Sequence, residues 1–253
     1  MLSKQLTKIV QNLEKKKFRE KYNLFKIEGE KLVGELLRSS FKIHSVLAFP
    51  EWIERNRQTL SHVNVMEIRQ REMAEISNFQ SLPEVIALAE IPEYDREDTE
   101  IRQTLSLVLN GIQDPGNLGT ILRVADWFGI RHVFCDTDCA GVFNPKCVQA
   151  SMGAIFRVKS YYTDLISLIR NTKNEDFPVF GTFLDGENIY ESKLSNRGFI
   201  VMGNEGKGIS EEIRQWTDRK LTIPSFARNE CSTESLNVGV ATGIILSEFK
   251  RRP

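Results

Sequence analysis

Residues 110–123, NGIQDPGNLGTILR, join a predicted strand to a predicted helix. The preceding run from Leu105 to Leu109 is mainly apolar, which is typical of a buried strand, and Asp114-Pro115-Gly116 is a turn signal. After the turn, apolar side chains recur at helical spacing, at Leu118, Ile121, Leu122, Ala125 and Phe128. Because helix N-termini present unpaired N–H groups, this strand–turn–helix unit predicts a ligand site where the helix begins.

Arg123 and Asn117 are the polar residues of this helix with a candidate function. Arg123 lies off the apolar stripe, about one and a half turns into the helix. A guanidinium close to a helix N-terminus favours a phosphate-bearing substrate, because its planar fork matches the geometry of phosphate. The competing interpretations are that Arg123 occupies an ordinary exposed helix face and that Asn117 is only a helix cap.

Two later segments repeat this arrangement of a strand end followed by polar residues. Residues 199–202, FIVM, run into GNEGKGIS at 203–210, where three glycines let the backbone approach a ligand closely. Residues 221–224, LTIP, precede a polar loop and a buried helix predicted over 235–249. The glycine segment is neither a Walker loop nor a dinucleotide-binding GxGxxG, and taken alone it is also compatible with an ordinary loop. Three such segments together predict one composite pocket at strand ends.

The three segments together resemble the motifs of the SpoU-type (TrmH-like) RNA ribose 2′-O-methyltransferases of the SPOUT superfamily. The first segment is similar around Asn117 and Arg123, the second at 203–208, and the third at 223–224 and 234–238. Residues 145–156 look like the segment that lies between these motifs in the family. The resemblance covers roughly residues 104–249.

The resemblance implies an enzyme that transfers the methyl group of S-adenosylmethionine to a ribose 2′-hydroxyl of rRNA or tRNA. It implies an α/β protein whose SPOUT-type C-terminal domain contains a trefoil knot and follows a small α/β RNA-binding domain. It also implies a homodimer with the pocket near the dimer interface. The implied catalytic residues are Arg123, Asn117, Glu205, Ser235 and Asn237. The implied cofactor-binding residues are Thr182, Met202, Gly203, Asn204, Gly208, Ile223 and Leu236.

Arg123 is the central polar residue of the implied site. A guanidinium essentially never deprotonates in proteins, which argues against Arg123 as a general base. We expect it to clamp the target phosphate and to stabilise the charge that develops on the attacking oxygen. We expect Glu205 to orient Arg123 or the ribose, and Asn117 and Asn237 to fix the pocket and the substrate.

The loop at residues 225–233 departs from the family pattern. Members usually carry a shorter, glycine-containing loop that helps to cover the cofactor, whereas this chain has SFARNECST. The contacts of this loop with the cofactor are therefore not predicted.

The N-terminal part predicts a second, smaller unit. Alternating helices and strands, beginning with a helix over 5–21, favour an α/β domain at 1–91, a polar linker at 92–103 and the methyltransferase domain at 104–253. Residues 25–33 resemble the start of the RNA-binding domain of many family members. Over residues 1–42, eleven Lys and Arg face five Glu and no Asp. We expect RNA phosphate contacts from Lys15, Lys16, Lys17 and Arg19, although such a run is also typical of a solvated helix face.

Composition narrows the classes of protein. The chain has no run of about 18 apolar residues and no signal-like N-terminus, which favours a cytoplasmic location and no membrane span. The four cysteines, Cys135, Cys139, Cys147 and Cys231, form no CxxC pair, so we expect free thiols and no metal site.

Three functions remain open from the sequence. The first is the RNA ribose 2′-O-methyltransferase, and the second is a catalytically silent RNA-binding protein with the same fold. The third is a SPOUT enzyme that methylates a base. The presence of Arg123, Glu205 and Asn237 argues against the silent protein, and the Asn-Glu-Gly and Ser-Leu-Asn motifs favour ribose. The sequence leaves the RNA and the nucleotide open.

Overall fold

Short apolar runs near the N-terminus form one twisted sheet with helices around it. The structure, a computed structural model, describes residues 2–227 and 234–252. The sheet order is β1-β4-β2-β3, with β4 antiparallel to β1 and β2, and β3 parallel to β2. The strands are β1 (Leu24–Glu28), β2 (Ile43–Ala48), β3 (Val65–Glu67) and β4 (Val85–Glu90). The helices are α1 (Lys4–Asn12), α2 (Lys16–Tyr22), α3 (Glu30–Leu37), α4 (Pro50–Arg55) and α5 (Gln70–Ile76).

The helix predicted over residues 5–21 is wrong in one respect, because the structure has two helices, α1 and α2. The chain turns at residues 13–15, where Lys15 N–H donates to the carbonyl oxygen of Asn12 over 2.9 Å. The guanidinium of Arg19 donates to the carbonyl oxygens of Leu13 and Glu14 over 2.8 and 2.7 Å. Arg19 therefore satisfies carbonyls that the break leaves without helical partners.

The C-terminal part forms a six-stranded sheet in which every neighbouring pair is parallel. Its order is β10-β8-β9-β5-β6-β7, and helices cover the central strands, which explains their continuous apolar runs. The strands are β5 (Leu105–Asn110), β6 (His132–Cys135), β7 (Lys159–Tyr162), β8 (Val179–Asn188), β9 (Gly198–Gly203) and β10 (Arg219–Thr222). The helices are α6 (Asp98–Ile101), α7 (Pro115–Trp127), α8 (Pro145–Ser151), α9 (Leu165–Thr172), α10 (Glu211–Arg214) and α11 (Val238–Arg251).

Two connecting segments of the six-stranded unit carry buried side chains. Residues 154–156 form a 3-10 turn that buries Phe156 ahead of β7. The polar stretch predicted as a linker contains α6, whose Ile101 is buried, and the ring of Tyr94 packs edge-on against Tyr161. Part of this stretch is therefore bound to the six-stranded unit.

The two units meet through an apolar junction bordered by hydrogen bonds. Phe25 and Phe143 have ring centroids 4.6 Å apart, and Phe41 packs edge-on against Phe156 at 5.1 Å. Arg157 donates to carboxylates on both sides of the junction, at 2.6 Å to Glu35 and 2.8 Å to Asp126. One contiguous cluster of buried side chains contains residues of both units, so packing fixes the position of one unit against the other.

Helices α7 and α8 pack unusually closely at Gly119. A Cβ atom at this position would lie 2.5 Å from the carbonyl oxygen of Cys147 and 2.6 Å from the Cβ of Ala150. Both neighbours belong to α8, and one of them is backbone, so neither can move away freely. The approach of α8 to the helix that carries Asn117 and Arg123 therefore depends on this glycine.

We predict that Gly119→Ala destabilises the protein by about 1–3 kcal/mol, because the added methyl group overpacks the contact between α7 and α8. Gly34→Ala is the matched control, since its Cβ would have only the Arg38 guanidinium nearby, at 3.8 Å. The control should stabilise the helix by about 0.4–1 kcal/mol. Urea unfolding of both variants and the parent measures the effect, and equal midpoints for the two variants would contradict this account.

Candidate active site

The three motif segments follow the carboxyl ends of strands β5, β9 and β10. In the ladder between β5 and β9, the last residues Asn110 and Gly203 lie opposite each other. The first two loops therefore begin side by side, and α11 returns to the same edge after β10. The edge is the one at which open parallel sheets bind their ligands.

Asp136 joins the first loop to the strand end of β6. Its Oδ2 accepts from Asn110 Nδ2 over 2.6 Å and from Gly111 N–H over 2.9 Å. Asn110 Oδ1 in turn accepts from the N–H of Ser210 over 2.7 Å, which connects the first loop to the glycine loop. Neither Asp136 nor Asn110 is among the predicted site residues. The sequence does contain a signal for both residues, because each is the first polar residue at the end of an apolar strand.

The glycine loop is a tight backbone hairpin. Asn204 and Gly208 exchange both backbone hydrogen bonds, at 3.0 and 2.8 Å. The side chain of Asn204 accepts from two N–H groups within the loop and donates to the carbonyl oxygen of Gly111 over 2.7 Å. A Cβ at Gly203 would lie 2.4 Å from backbone atoms of Gly208 and Ile209, so this position requires glycine. The hairpin holds Glu205 at its tip.

The carboxylate of Glu205 brings the three motif segments together. Its Oε1 accepts from Asn117 Nδ2 over 2.8 Å, from Asn237 Nδ2 over 2.9 Å and from the N–H of Val238 over 3.3 Å. Asn237 Nδ2 also donates to Asn117 Oδ1 over 2.8 Å. Three of the five predicted catalytic residues therefore form one hydrogen-bonded cluster, the Asn117–Glu205–Asn237 cluster.

Helix α11 begins after Asn237 and not at Ser235. The side chain of Asn237 accepts from the N–H groups of Gly239 and Val240, which makes it the N-cap. Ser235 lies before the cap, is exposed and lines the cavity described below. The helix predicted from 235 is thus three residues too long at its start.

Arg123 lies apart from this cluster. It is exposed on α7, about 9 Å further along the helix axis than Asn117 at 1.5 Å per residue. Within residues 2–227 and 234–252 it makes no side-chain hydrogen bond or ion pair. Glu205 was expected to orient Arg123 or the ribose. In the described part of the chain its hydrogen bonds go to the two asparagines and to Val238 rather than to Arg123, and orientation of the ribose stays a prediction.

A cavity of about 830 Å³ opens beside the cluster, between the glycine loop, the end of β10 and the start of α11. Its size lies in the usual range for small-molecule sites. Apolar side chains and the backbone of Gly203 form much of its wall, which suits a nucleoside with an uncharged ring. All seven predicted cofactor-binding residues line it, namely Thr182, Met202, Gly203, Asn204, Gly208, Ile223 and Leu236.

One wall of the cavity comes from the segment 182–186, of which only Thr182 was expected to bind the cofactor. In the ladder between β8 and β10, Gly181 pairs with Lys220, whereas the next residue, Leu221, pairs with Glu187. Residues 182–186 therefore leave the ladder, and their Leu184 side chain is 76% exposed at the cavity. Of the long loop at 225–233, Phe226 also lines the cavity, and residues 228–233 lie outside the described residues.

The basic stretch of the N-terminal unit is only partly a candidate for RNA. Lys15, Lys16 and Lys17 are exposed, and the Lys17 ammonium lies 5.1 Å from the ring centroid of Phe18. The expected phosphate contact of Arg19 is wrong. This residue is only 5% exposed, and its guanidinium donates hydrogen bonds to the carbonyl oxygens at the break between α1 and α2. It is a structural residue rather than a phosphate contact.

Three of the cysteines, Cys135, Cys139 and Cys147, are free and buried, and Cys231 lies outside the described residues. Burial raises the pKa of the Cys147 thiol well above its usual range. Across the described part of the chain, no helix has the length and apolar character of a membrane span. In the same part, no three His, Cys, Asp or Glu side chains are placed to hold a metal ion.

Comparison with known proteins agrees with this geometry. The SpoU rRNA Methylase family profile matches residues 104–247, and an MRM3-like substrate binding domain matches residues 4–87. The chain is 30% identical over 240 residues to the 23S rRNA (guanosine(2553)-2′-O)-methyltransferase RlmP of Bacillus subtilis (strain 168), covering 94% of this chain and 93% of the relative. It is 35% identical over 152 residues to the 23S rRNA (guanosine-2′-O-)-methyltransferase RlmB of Escherichia coli (strain K12), covering 59% of this chain and 61% of the relative.

Solved structures extend the similarity over both units. A TrmH-family protein from Porphyromonas gingivalis superposes with a TM-score of 0.86 at 37% identity and covers 100% of each chain. An AdoMet-bound rRNA methyltransferase from Sinorhizobium meliloti superposes with a TM-score of 0.84 at 26% identity, over 99% of this chain and 96% of the other. The fold is that of the SPOUT methyltransferases with an N-terminal substrate-binding domain, and the chain belongs to the SpoU rRNA Methylase family.

Proposed function

We propose that this protein transfers the methyl group of S-adenosylmethionine to the 2′-hydroxyl of a ribose in ribosomal RNA. The observation that carries the proposal is the Asn117–Glu205–Asn237 cluster beside the cavity. Family membership supports the reaction, since the Bacillus subtilis relative that covers 94% of this chain and the Escherichia coli relative are both named as 23S rRNA 2′-O-methyltransferases. A catalytically silent protein and a base methyltransferase are both less compatible with these relatives.

The cavity is the proposed cofactor site. S-adenosylmethionine supplies an electrophilic methyl group when it is bound. The glycines at 203 and 208 let the backbone form a close wall, and Thr182 is held in place by a 3.0 Å hydrogen bond to the carbonyl oxygen of Val201. The assignment of individual contacts to the seven lining residues is part of the proposal.

Positioning is the main task of the chain in such a reaction. The ribose oxygen has to lie in line behind the methyl group, and holding two reactants in that geometry removes much of the barrier. The Asn117–Glu205–Asn237 cluster is a preformed polar surface beside the cavity, with each amide fixed by the same carboxylate oxygen. We assign the cluster to fixing the edge of the pocket where the ribose is held.

Arg123 is assigned to the substrate phosphate and to the developing negative charge on the 2′ oxygen. Its charge is not neutralised by an acidic partner in the described part of the chain, so its donors can reach an incoming anion. A guanidinium fixed near the reacting oxygen stabilises charge that appears only in the transition state. The proton of the hydroxyl is released to water as the bond to the methyl group forms and the methyl–sulfur bond breaks.

The substrate is proposed to be 23S rRNA, with a guanosine as the target nucleoside. This follows the names of the Bacillus subtilis and Escherichia coli relatives, and the first of these matches both units of the chain. The sequence alone left tRNA open, and tRNA is the alternative outcome of the experiment below. A cytoplasmic location is proposed on the same grounds, because that is where bacterial ribosomal RNA is modified.

We also propose a homodimer formed through the outer face of α7 and α11. The two helices pack side by side, with the Cβ position of Gly239 2.8 Å from Thr120. Trp127 on α7 is 85% exposed, and Val240 on α11 is 54% exposed. An exposed tryptophan of this kind is typical of a surface that binds another protein. Arg123 lies on the same side of α7 as Trp127, one turn earlier, which brings the dimer contact close to the proposed catalytic residue.

The trefoil knot and the domain boundaries at 91 and 104 stay predictions. The sheet order supports the knot in a general way, since β8 lies between β9 and β10 and the loops after all three strands line one cavity.

The substrate is tested by mapping ribose methylation across total RNA from a strain that lacks the gene. We expect the loss of one methylated guanosine in 23S rRNA, and its return when the parental gene is supplied. Loss of a methylated ribose in tRNA would replace the rRNA assignment, and an unchanged methylation map would contradict the proposed reaction.

We predict that Arg123→Ala fails to restore this methylation while it leaves fold and cofactor affinity nearly unchanged. The side chain is exposed, so its removal opens no core cavity, whereas the loss of one charge-stabilising donor typically costs about a hundredfold or more in rate. Arg123→Lys should restore little, because an ammonium lacks the planar fork. Single-turnover assays separate chemistry from binding. Methyl transfer by Arg123→Ala at the parental rate would show that Arg123 is not catalytic.

We predict that replacing Lys15, Lys16 and Lys17 together with Glu weakens RNA binding and flattens its salt dependence, because fewer counterions are released. Cofactor binding should not change. The matched control applies the same charge change to three exposed basic residues of the six-stranded unit, Arg170, Lys193 and Lys250. The measurement is the RNA affinity of the parent and of both triple variants at several salt concentrations. If both triple variants bind RNA equally well, the lysines are only a solvated helix face.

We predict that Trp127→Glu converts the protein from a dimer to a monomer, since a buried, unpaired carboxylate in an interface is strongly unfavourable. Phe79→Glu is the control, because Phe79 is an exposed aromatic residue on the other unit. Light scattering coupled to size-exclusion chromatography measures the mass. A parental protein at the chain mass of 29.0 kDa, or a Trp127→Glu variant that is still dimeric, would refute this interface.

A further inference from the structure

The segment 182–186 has little backbone support of its own. It lies between the two parts of the ladder that joins β8 and β10, so its residues have no ladder partner there. Gly186 at its end approaches the β10 backbone so closely that a Cβ would lie 2.6 Å from the carbonyl carbon of Leu221. The hydrogen bond that Thr222 Oγ1 donates to the carbonyl oxygen of Leu184 is long, at 3.4 Å. The position of this segment therefore depends on side-chain contacts.

Arg214 of α10 provides two of these contacts. Its guanidinium carbon lies 4.7 Å from the ring centroid of Phe183, and its NH2 lies 2.7 Å from Asp185 Oδ2. The ammonium of Lys220 lies 5.7 Å from the same ring of Phe183. The hydrogen bond from Arg214 lowers the pKa of the Asp185 carboxyl, so the pair is charged at neutral pH. One arginine thus holds the residue before Leu184 and the residue after it.

Leu184 is presented to the cavity by this arrangement. It is 76% exposed although it is apolar, and two more exposed apolar side chains at the same cavity are Phe226 and Leu236. Exposed apolar groups gathered around an opening favour a ligand with an apolar surface over water. The flat ring of a nucleoside has such a surface, whereas the charged amino-acid part of S-adenosylmethionine does not.

We propose that Arg214 is a positioning residue for the cofactor, which fixes the segment 182–186 so that Leu184 covers the nucleoside part of S-adenosylmethionine. The inference rests on the proposed cofactor site and adds to it a residue outside the three sequence motifs. Fixing the segment before the cofactor arrives removes an ordering cost from binding. An exposed ion pair such as Arg214–Asp185 contributes little to the free energy of unfolding. We therefore expect its loss to change the affinity for the cofactor more than the stability of the fold.

The competing possibility is a direct contact between Arg214 and the carboxylate of the cofactor, since Arg214 itself lines the cavity. Two ligands separate the possibilities. S-adenosylhomocysteine carries the amino-acid carboxylate, and 5′-methylthioadenosine lacks it but keeps the nucleoside. A positioning role predicts equal losses of affinity for both ligands, whereas a direct contact predicts a loss for S-adenosylhomocysteine alone.

Calorimetry on the full-length protein with both ligands tests the proposal. Arg214→Ala should weaken binding of each ligand by about three- to tenfold, the value expected for releasing one or two ordered side chains. Asp185→Asn and Leu184→Ala should weaken both ligands in the same way. Losses from Arg214→Ala and Asp185→Asn should not add in the double variant, because both act through one contact. Arg197→Ala is the control, since its 3.1 Å ion pair with Asp176 lies outside the cavity.

Several results would overturn the inference. Parental affinity for both ligands in Arg214→Ala would show that the contacts of Arg214 with Phe183 and Asp185 have no role in binding. Parental affinity in Asp185→Asn, or a loss confined to S-adenosylhomocysteine, would assign Arg214 to a direct contact instead. If the parental protein binds neither ligand, the proposed cofactor site itself is wrong. This outcome differs from the failure of the Arg214 inference alone, in which the parent still binds. If Arg214→Ala does not fold, which its melting temperature reveals, Asp185→Asn and Leu184→Ala carry the test.

Discussion

One carboxylate oxygen connects the parts of the active site that are most distant in the sequence. Glu205 Oε1 receives donors from the first turn of α7, from the N-cap of α11 and from the first N–H of α11. The position of Glu205 is fixed in turn by the Asn204–Gly208 hairpin, whose neighbour Gly203 admits no side chain. The starts of two helices are therefore held against one loop, and the N–H of Val238 at the start of α11 finds an acceptor there.

The parallel sheet explains why these loops meet at all. Strands β5 and β9 are neighbours and end in register at Asn110 and Gly203, so whatever follows them is adjacent without any further requirement. Asp136, after β6, accepts a hydrogen bond from Asn110 and so connects the first loop to the next strand end. Asn110 in turn accepts a hydrogen bond from the N–H of Ser210. The glycines allow close approach, the asparagines provide donors and acceptors on short side chains, and the cavity forms between them.

The sequence predicted parts of the site through local pattern and through the family resemblance. Apolar runs and turn signals located the strand ends, and the seven cofactor-binding residues that the resemblance implied all line one cavity. Features that depend on long-range packing were missed. Arg19 was assigned to RNA because a basic run gives no sign that one member is needed at a helix break. Residues 183–186 were missed, although the neighbouring Thr182 was expected at the cofactor, because only the register with β10 shows that this segment leaves the ladder.

The junction between the two units has a consequence for how a substrate is chosen. Phe25, Phe143, Phe41 and Phe156 interlock across it, and Arg157 joins carboxylates from both sides. Folding therefore sets the spacing between the surface of the four-stranded unit and the catalytic edge of the six-stranded unit. An RNA that contacts both surfaces must place its target ribose at a fixed distance from the part of the RNA that the four-stranded unit binds. Such an RNA is therefore selected by this distance as well as by its sequence. Any adjustment would fall on the RNA, whose loops bend at lower cost than a packed aromatic core.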